Sequence, residues 1–187
     1  MATISISDSS KPGDDVIARR VLVPIAGGSE EIETACITDT LSRFGAEVVV
    51  AKVSGTPSRI VKGSKEDLVC RMSRGLKIVA DMTIEEATKF HYDAILLPGG
   101  VMGARTMRQS EPLIALLQRQ RQDRKLYGGV CAAPAIVMAS AGLAVPGATC
   151  YPAKILRDEM VNPSDEDVVV QEAGTLVTSQ GPGTTLT

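Results

Sequence analysis

Two kinds of hydrophobic pattern alternate along this chain. The first is a short, nearly unbroken apolar run: "RVLVPIA" (20–26), "AEVVVAKVS" (46–54), "YDAILLPGG" (92–100) and "LYGGV" (126–130). Such runs predict strands buried on both faces, as in a parallel sheet. The second kind recurs at helical spacing. "SEEIETACITDTLSRFG" predicts a helix that stops at Gly45. "SEPLIALLQRQRQDRK" carries Leu113, Ile114, Leu116, Leu117 and Gln120 on one helical face, with Ser110 as its N-cap. Thr83 and Glu86 have capping-box spacing, so a short helix is expected to start at Thr83. A further helix is expected from Ala132 to about Ala141, closed by Gly142. The segment 56–82 reads as a hairpin excursion turning at "SRG", and 168–183 as a second hairpin.

Strands alternating with helices predict an α/β fold, a mostly parallel sheet with helices on both faces. With no internal repeat and no linker, residues 20–187 are expected to form one domain. Residues 1–19, polar and with three aspartates, are expected to be a flexible N-terminal tail. Aromatic residues are only 3% and Trp is absent, so the core must be aliphatic. A net charge of -2 gives no electrostatic basis for binding nucleic acid or an anionic membrane. No apolar run reaches membrane-spanning length. Neither partner class is expected. A cytoplasmic location is expected, with four reduced cysteines. Cys36 is expected to face the core, Cys70 to be partly exposed, and Cys150 to line or back the pocket. A single histidine and no CxxC spacing argue against a zinc site, and no cofactor is expected.

In such sheets ligands bind beyond the carboxyl ends of the strands. Three glycine-marked strand ends fall there: Gly27-Gly28, Gly99-Gly100 and the turn at Cys131. The last has the form of a nucleophile elbow, with Gly128 and Gly129 before Cys131 and Ala132, Ala133 and Pro134 after it. Free N–H groups at the following helix start are expected to lower the thiol pKa. Glu30 and Glu31 read as charges complementing the start of the first helix on a solvated face. Glu33 need not share that face. Beside Cys131 it would stay protonated and give sulfur a hydrogen bond. Gly99, Gly100 and the N–H of Ala132 are candidate oxyanion donors.

Taken together, "VLVPIAGGSEEIE", "YDAILLPGG", "GGVCAAPA", "ATCYPA" and "TSQGPGTT" resemble the ThiJ/PfpI superfamily, in its Parkinson-associated deglycase branch. The resemblance runs from about Arg20 to the C-terminus. It implies a flavodoxin-like three-layer sandwich and a homodimer. It implies a nucleophilic, oxidation-prone Cys131 with Glu33 as its acid. It also places Arg43 and Arg74 at basic positions facing the pocket across the dimer. Tyr151 stands where many relatives have histidine, and His91 is expected at the wrong end of the sheet, which argues against a Cys–His protease. The chain stops at "GPGTTLT", where the family continues into a helix. Met72 and Val79 occupy the family's peripheral cysteine positions.

The activity so implied is glutathione-independent conversion of glyoxal and methylglyoxal to hydroxy acids, or release of glycated adducts. The partner is then a small dicarbonyl or glycated adduct, which Tyr151 can meet with a hydrogen bond. A redox-sensing or chaperone role based on oxidation of Cys131 is the alternative. A thiazole monophosphate biosynthesis assignment ranks below both, for want of a phosphate-binding motif.

Overall fold

A computed structural model of the chain describes residues 19–55 and 68–186. Nine strands are described: β1 (Arg20–Ile25), β2 (Glu47–Lys52), β3 (Val69–Arg71), β4 (Lys77–Val79), β5 (Met82–Thr83), β6 (Ala94–Leu97), β7 (Leu126–Val130), β8 (Val168–Gln171) and β9 (Leu176–Ser179). Seven of them form one sheet in the order β5-β2-β1-β6-β7-β9-β8. Every pairing in it is parallel except β8 with β9. β3 and β4 form a separate antiparallel hairpin.

The helices are α1 (Glu31–Arg43), α2 (Ile84–Ala87), α3 (Val101–Arg108), α4 (Glu111–Gln122) and α5 (Lys154–Arg157), with a π-helical segment at Pro134–Ala139. The pleat of β1 divides the core. Val21, Val23 and Ile25 join the cluster that contains Ile37 of α1 and Cys70 and Met72 of the hairpin. Leu22 joins the cluster on the other face, with α2, α3, α4 and the π-helical segment. This is the flavodoxin-like α/β arrangement, with helices on both faces of the sheet.

Local signals formed as expected. Thr83 Oγ1 accepts the Glu86 N–H at 3.2 Å, and Glu86 Oε2 accepts the Thr83 N–H at 3.0 Å. Ser110 caps α4, and Leu113, Leu116, Leu117 and Gln120 are its buried face. The hairpin turns at Ser73–Gly75, where Met72 N–H donates to Leu76 O at 2.8 Å. The tail expected over 1–19 lies outside the described residues except for Arg19, as does the start of the excursion, 56–67.

Of the elements that differ from the sequence reading, the one-turn helix α5 and the edge strand β5 have no counterpart in it, and two others bear on the site. The helix after Cys131 is π-helical over six residues rather than α-helical to Ala141. Helix α3 has no counterpart in the hydrophobic pattern. It is short, and Gly103 interrupts its apolar side. That glycine lets α3 lie directly on the β1–α1 turn: a Cβ there would fall 2.6 Å from Ser29 N. Helix propensity yields here to close packing. Among the described residues, no helix is long and apolar enough to cross a membrane.

Candidate active site

β1, β6 and β7 lie side by side, so the turns that follow them converge at one edge of the sheet. The turn after β7 carries Cys131 at φ 60°, in the left-handed region that a side chain enters at a cost. Its neighbours hold it there. Cys131 N–H donates to Ser179 O at 2.9 Å, and Cys131 O accepts the Tyr151 N–H at 2.9 Å. The elbow read from the sequence is present.

Glu33 enters from the first turn of α1 and is fully buried. Its Oε2 accepts the Gly99 N–H at 2.6 Å. Its Oε1 is buried and accepts no well-formed hydrogen bond. Gly99 marks where the two functional side chains meet: a Cβ on it would lie 2.6 Å from Cys131 Cβ and 2.8 Å from Glu33 Oε2.

Burial pushes the Glu33 carboxyl up from 4.5 to about 7, against the lowering effect of the Gly99 N–H and the Cys131 side chain. Burial also pushes the Cys131 thiol up, to about 12, and the Glu33 charge adds to this. The N–H groups of Gly100 and Ala132 act in the opposite direction. The lowered thiol expected from a helix start is therefore corrected: beside an ionised Glu33, burial and like charge outweigh two backbone donors. The two groups titrate as a pair. The pair loses one proton near neutrality and holds the second far into the alkaline range.

The cavity over these groups measures about 710 Å3. Gly100, Ala132, Arg74 and Tyr151 line it with Cys131 and Glu33. Gly99 is corrected as an oxyanion donor, because its N–H is taken by Glu33, which leaves Gly100 and Ala132. Arg43 does not line the cavity of its own chain. It ends α1, a 13-residue helix that starts at the site, and pairs with Asp39 at 2.7 Å. His91 is exposed in the turn before β6, at the opposite end of the sheet. Cys70 is buried rather than partly exposed, Cys36 is half-buried, and Cys150 packs behind the pocket.

The sequence reading missed how one wall is held. Glu31 is not a solvated helix-start charge. Its Oε2 accepts from Ser73 Oγ at 2.7 Å and its Oε1 from Arg74 N–H at 2.8 Å. Gly28 N–H donates to Arg71 O, and Ser73 N–H to Ser29 O, both at 2.8 Å. These four bonds fasten the β3–β4 hairpin to the β1–α1 turn. The hydrogen bonds from Ser73 and Arg74 outweigh the opposing effect of burial and hold the Glu31 carboxyl below its ordinary range. Glu30 caps α1 by accepting the Glu33 N–H at 2.7 Å, which fixes the backbone at Glu33.

A strained cysteine elbow at the carboxyl edge of a flavodoxin-like sheet, beside a buried glutamic acid, defines a structural class of α/β proteins. The DJ-1/PfpI family matches residues 19–187, and the chain belongs to that family. Protein DJ-1 homolog B of Arabidopsis thaliana is 41% identical over 169 residues. That match covers 89% of this chain but only 35% of the plant protein, so the chain spans about a third of that relative's length. The glutathione-independent glyoxalase DJR-1.2 of Caenorhabditis elegans is 29% identical, over 83% of this chain and 76% of the relative. Among solved structures, oxidized Toxoplasma gondii DJ-1 is similar at a TM-score of 0.78 and 38% identity, over 90% of this chain and 85% of that one.

Proposed function

We propose that the protein converts glyoxal and methylglyoxal to hydroxy acids without glutathione, and that the same cysteine releases early sugar adducts from amines and thiols. One observation carries this reading: a buried carboxyl shares one small space with a sulfur at a strained elbow. The reactive form of the singly protonated pair carries its proton on Glu33 Oε1. An ionised oxygen there would be buried and unpartnered. In that form the sulfur is a thiolate facing the N–H groups of Gly100 and Ala132.

The thiolate adds to the aldehyde carbon of methylglyoxal. Glu33 gives its proton to the new alkoxide, which those two N–H groups steady. Now ionised, Glu33 takes the proton from the former aldehyde carbon, and an enediolate forms with its charge on the former ketone oxygen. Glu33 returns that proton to the neighbouring carbon while the hydroxyl proton on the first carbon passes to the former ketone oxygen, leaving a thioester on Cys131 with a hydroxyl beside it. Water hydrolyses the thioester to lactate and frees the thiolate. The sum is one methylglyoxal plus one water giving one lactate, with no external oxidant. Tyr151 meets the substrate oxygen as a hydrogen-bond donor. The cavity of about 710 Å3 far exceeds a three-carbon dicarbonyl, which supports access by larger adducts.

The test is lactate formation from methylglyoxal without glutathione, followed against pH. The acidic limb of kcat/KM is expected at the first ionisation of the pair, near 7. Glu33→Gln is expected to lower kcat about a hundredfold and to abolish that limb. A limb at 7 that survives this substitution sinks the assignment. The same variant alters stability with a definite sign. A carboxyl raised from 4.5 to about 7 gives stability that is full below 4.5 and lost as pH rises through 7. Relative to Glu33→Gln, the wild type should lose about 3 kcal/mol over that window, read from urea unfolding.

Redox sensing is supported by the same half-buried sulfur, and by the oxidized state named for the Toxoplasma gondii relative. Selective gain of two oxygens at Cys131 after mild peroxide, in a protein that makes no lactate, favours the sensor.

The active unit is a homodimer in a reducing, cytoplasmic setting. The support is a set of exposed apolar side chains on α1, its C-cap and the hairpin: Ile32, Phe44, Leu76 and Val79. Arg43 precedes Phe44 at the end of α1 and is offered to the partner's pocket. Sedimentation should give a dimer for the wild type and a monomer for Phe44→Asp. A monomeric wild type overturns the assembly.

A further inference from the structure

Beside the Cys131 pocket lies a second cavity of about 310 Å3. Val101, Tyr151 and Leu156 line both, so the two are compartments of one groove. The second compartment is apolar along Ile155 and Leu156, and basic where Arg105 and Arg108 of α3 line it. These arginines are three positions apart and so share a helix face. Neither forms an ion pair among the described residues, although Glu159 lines the same cavity. Elsewhere in the fold, arginines near helix ends are paired: Arg43 with Asp39, Arg121 with Glu172, and Arg157 with Asp165. Arg119 of α4 instead donates to Phe90 O at 3.1 Å, whereas the two on α3 have neither kind of partner among the described residues, and they face the groove that opens onto the reactive sulfur.

We propose that this compartment is a tail subsite in which Arg105 and Arg108 select carbonyl substrates bearing a carboxylate a few carbons from the reacting aldehyde. The proposal rests on the dicarbonyl reading of Cys131 for its chemistry. Guanidinium forks match a planar carboxylate with two parallel hydrogen bonds. The apolar wall between them and Tyr151 suits the intervening methylene groups. Methylglyoxal, with only a methyl group beyond its carbonyls, does not reach the compartment and cannot report on it.

The probe is 4,5-dioxopentanoate, compared with its uncharged methyl ester. The acid plus one water gives 2-hydroxyglutarate: the aldehyde carbon is oxidised to carboxylate, the adjacent ketone is reduced to alcohol, and the tail carboxylate is untouched. At low salt the wild type should favour the acid over the ester in kcat/KM by about tenfold. In the Arg105→Gln, Arg108→Gln double variant that ratio should fall towards unity. Calorimetric binding of 2-hydroxyglutarate should weaken in parallel. A wild-type ratio near unity, or a preference that survives both substitutions, overturns the subsite. If neither compound is turned over but 2-hydroxyglutarate binds through the two arginines, the subsite stands and the dicarbonyl reading fails. If neither turnover nor arginine-dependent binding is seen, the subsite fails as well.

Discussion

Replacing Cys131 with serine is expected to lower methylglyoxal turnover at least about a thousandfold while leaving the protein folded. The geometry explains both halves. The backbone at this position, φ 60°, is held by Ser179 O and by the Tyr151 N–H, and both bonds use main-chain atoms that serine retains. The side-chain volume also barely changes, so stability should shift by about 1 kcal/mol or less. The chemistry does not survive the exchange. A serine hydroxyl cannot lose its proton to a carboxylate whose pKa is near neutral, and no histidine reaches the pocket to act as its base. The thiol can, because a thiol is intrinsically far more acidic than a serine hydroxyl and this one faces two backbone donors. Lactate release and thermal unfolding, measured on one preparation, decide the matter. A serine variant within tenfold of the wild type would remove Cys131 from the mechanism.

The parts of this site that are local in sequence were legible there. Small residues on both sides of Cys131 and a proline at the following helix start are signals within eight residues, and they specify the elbow whatever else the chain does. The same holds for the capped helices α1 and α4, whose apolar spacing is an average over many positions. What could not be read depends on atoms brought from distant segments. The Gly99 N–H looked like a free oxyanion donor because nothing in "LLPGG" reveals that Glu33, 66 positions earlier, takes it. Glu31 looked like a helix-start charge because its partners, Ser73 and Arg74, lie on a hairpin 42 and 43 positions away. The direction of the thiol shift failed for the same reason. A helix start is a local feature and pulls the pKa down, whereas burial and the Glu33 charge are tertiary and prevail. Helix α3 was invisible for an opposite cause: its local signal is poor, and packing against Ser29 supplies what propensity lacks.

Gly99→Ala adds a single methyl group and is expected to damage stability and catalysis together. Gly99 adopts no left-handed conformation, so the argument is one of space alone. The new Cβ would meet Cys131 Cβ at 2.6 Å, Glu33 Oε2 at 2.8 Å and Val130 O at 2.9 Å. None of these can yield freely. The first belongs to the strained elbow and the last to strand β7, while the carboxyl is buried and fixed by the Gly99 N–H itself. Overpacking at so rigid a point costs about 2 to 3 kcal/mol, which for a chain of this size lowers Tm by about 5 to 10 °C. Relief comes only by pushing sulfur and carboxyl apart, so turnover should fall at least about a hundredfold even well below the new Tm. Gly183→Ala is the matched control. No heavy atom lies within 4 Å of a Cβ there and its φ is ordinary, so it should change stability by less than about 0.5 kcal/mol. A Gly99→Ala protein that melts with the wild type and keeps its rate would mean that the sulfur and the acid do not share the confined space on which the mechanism depends.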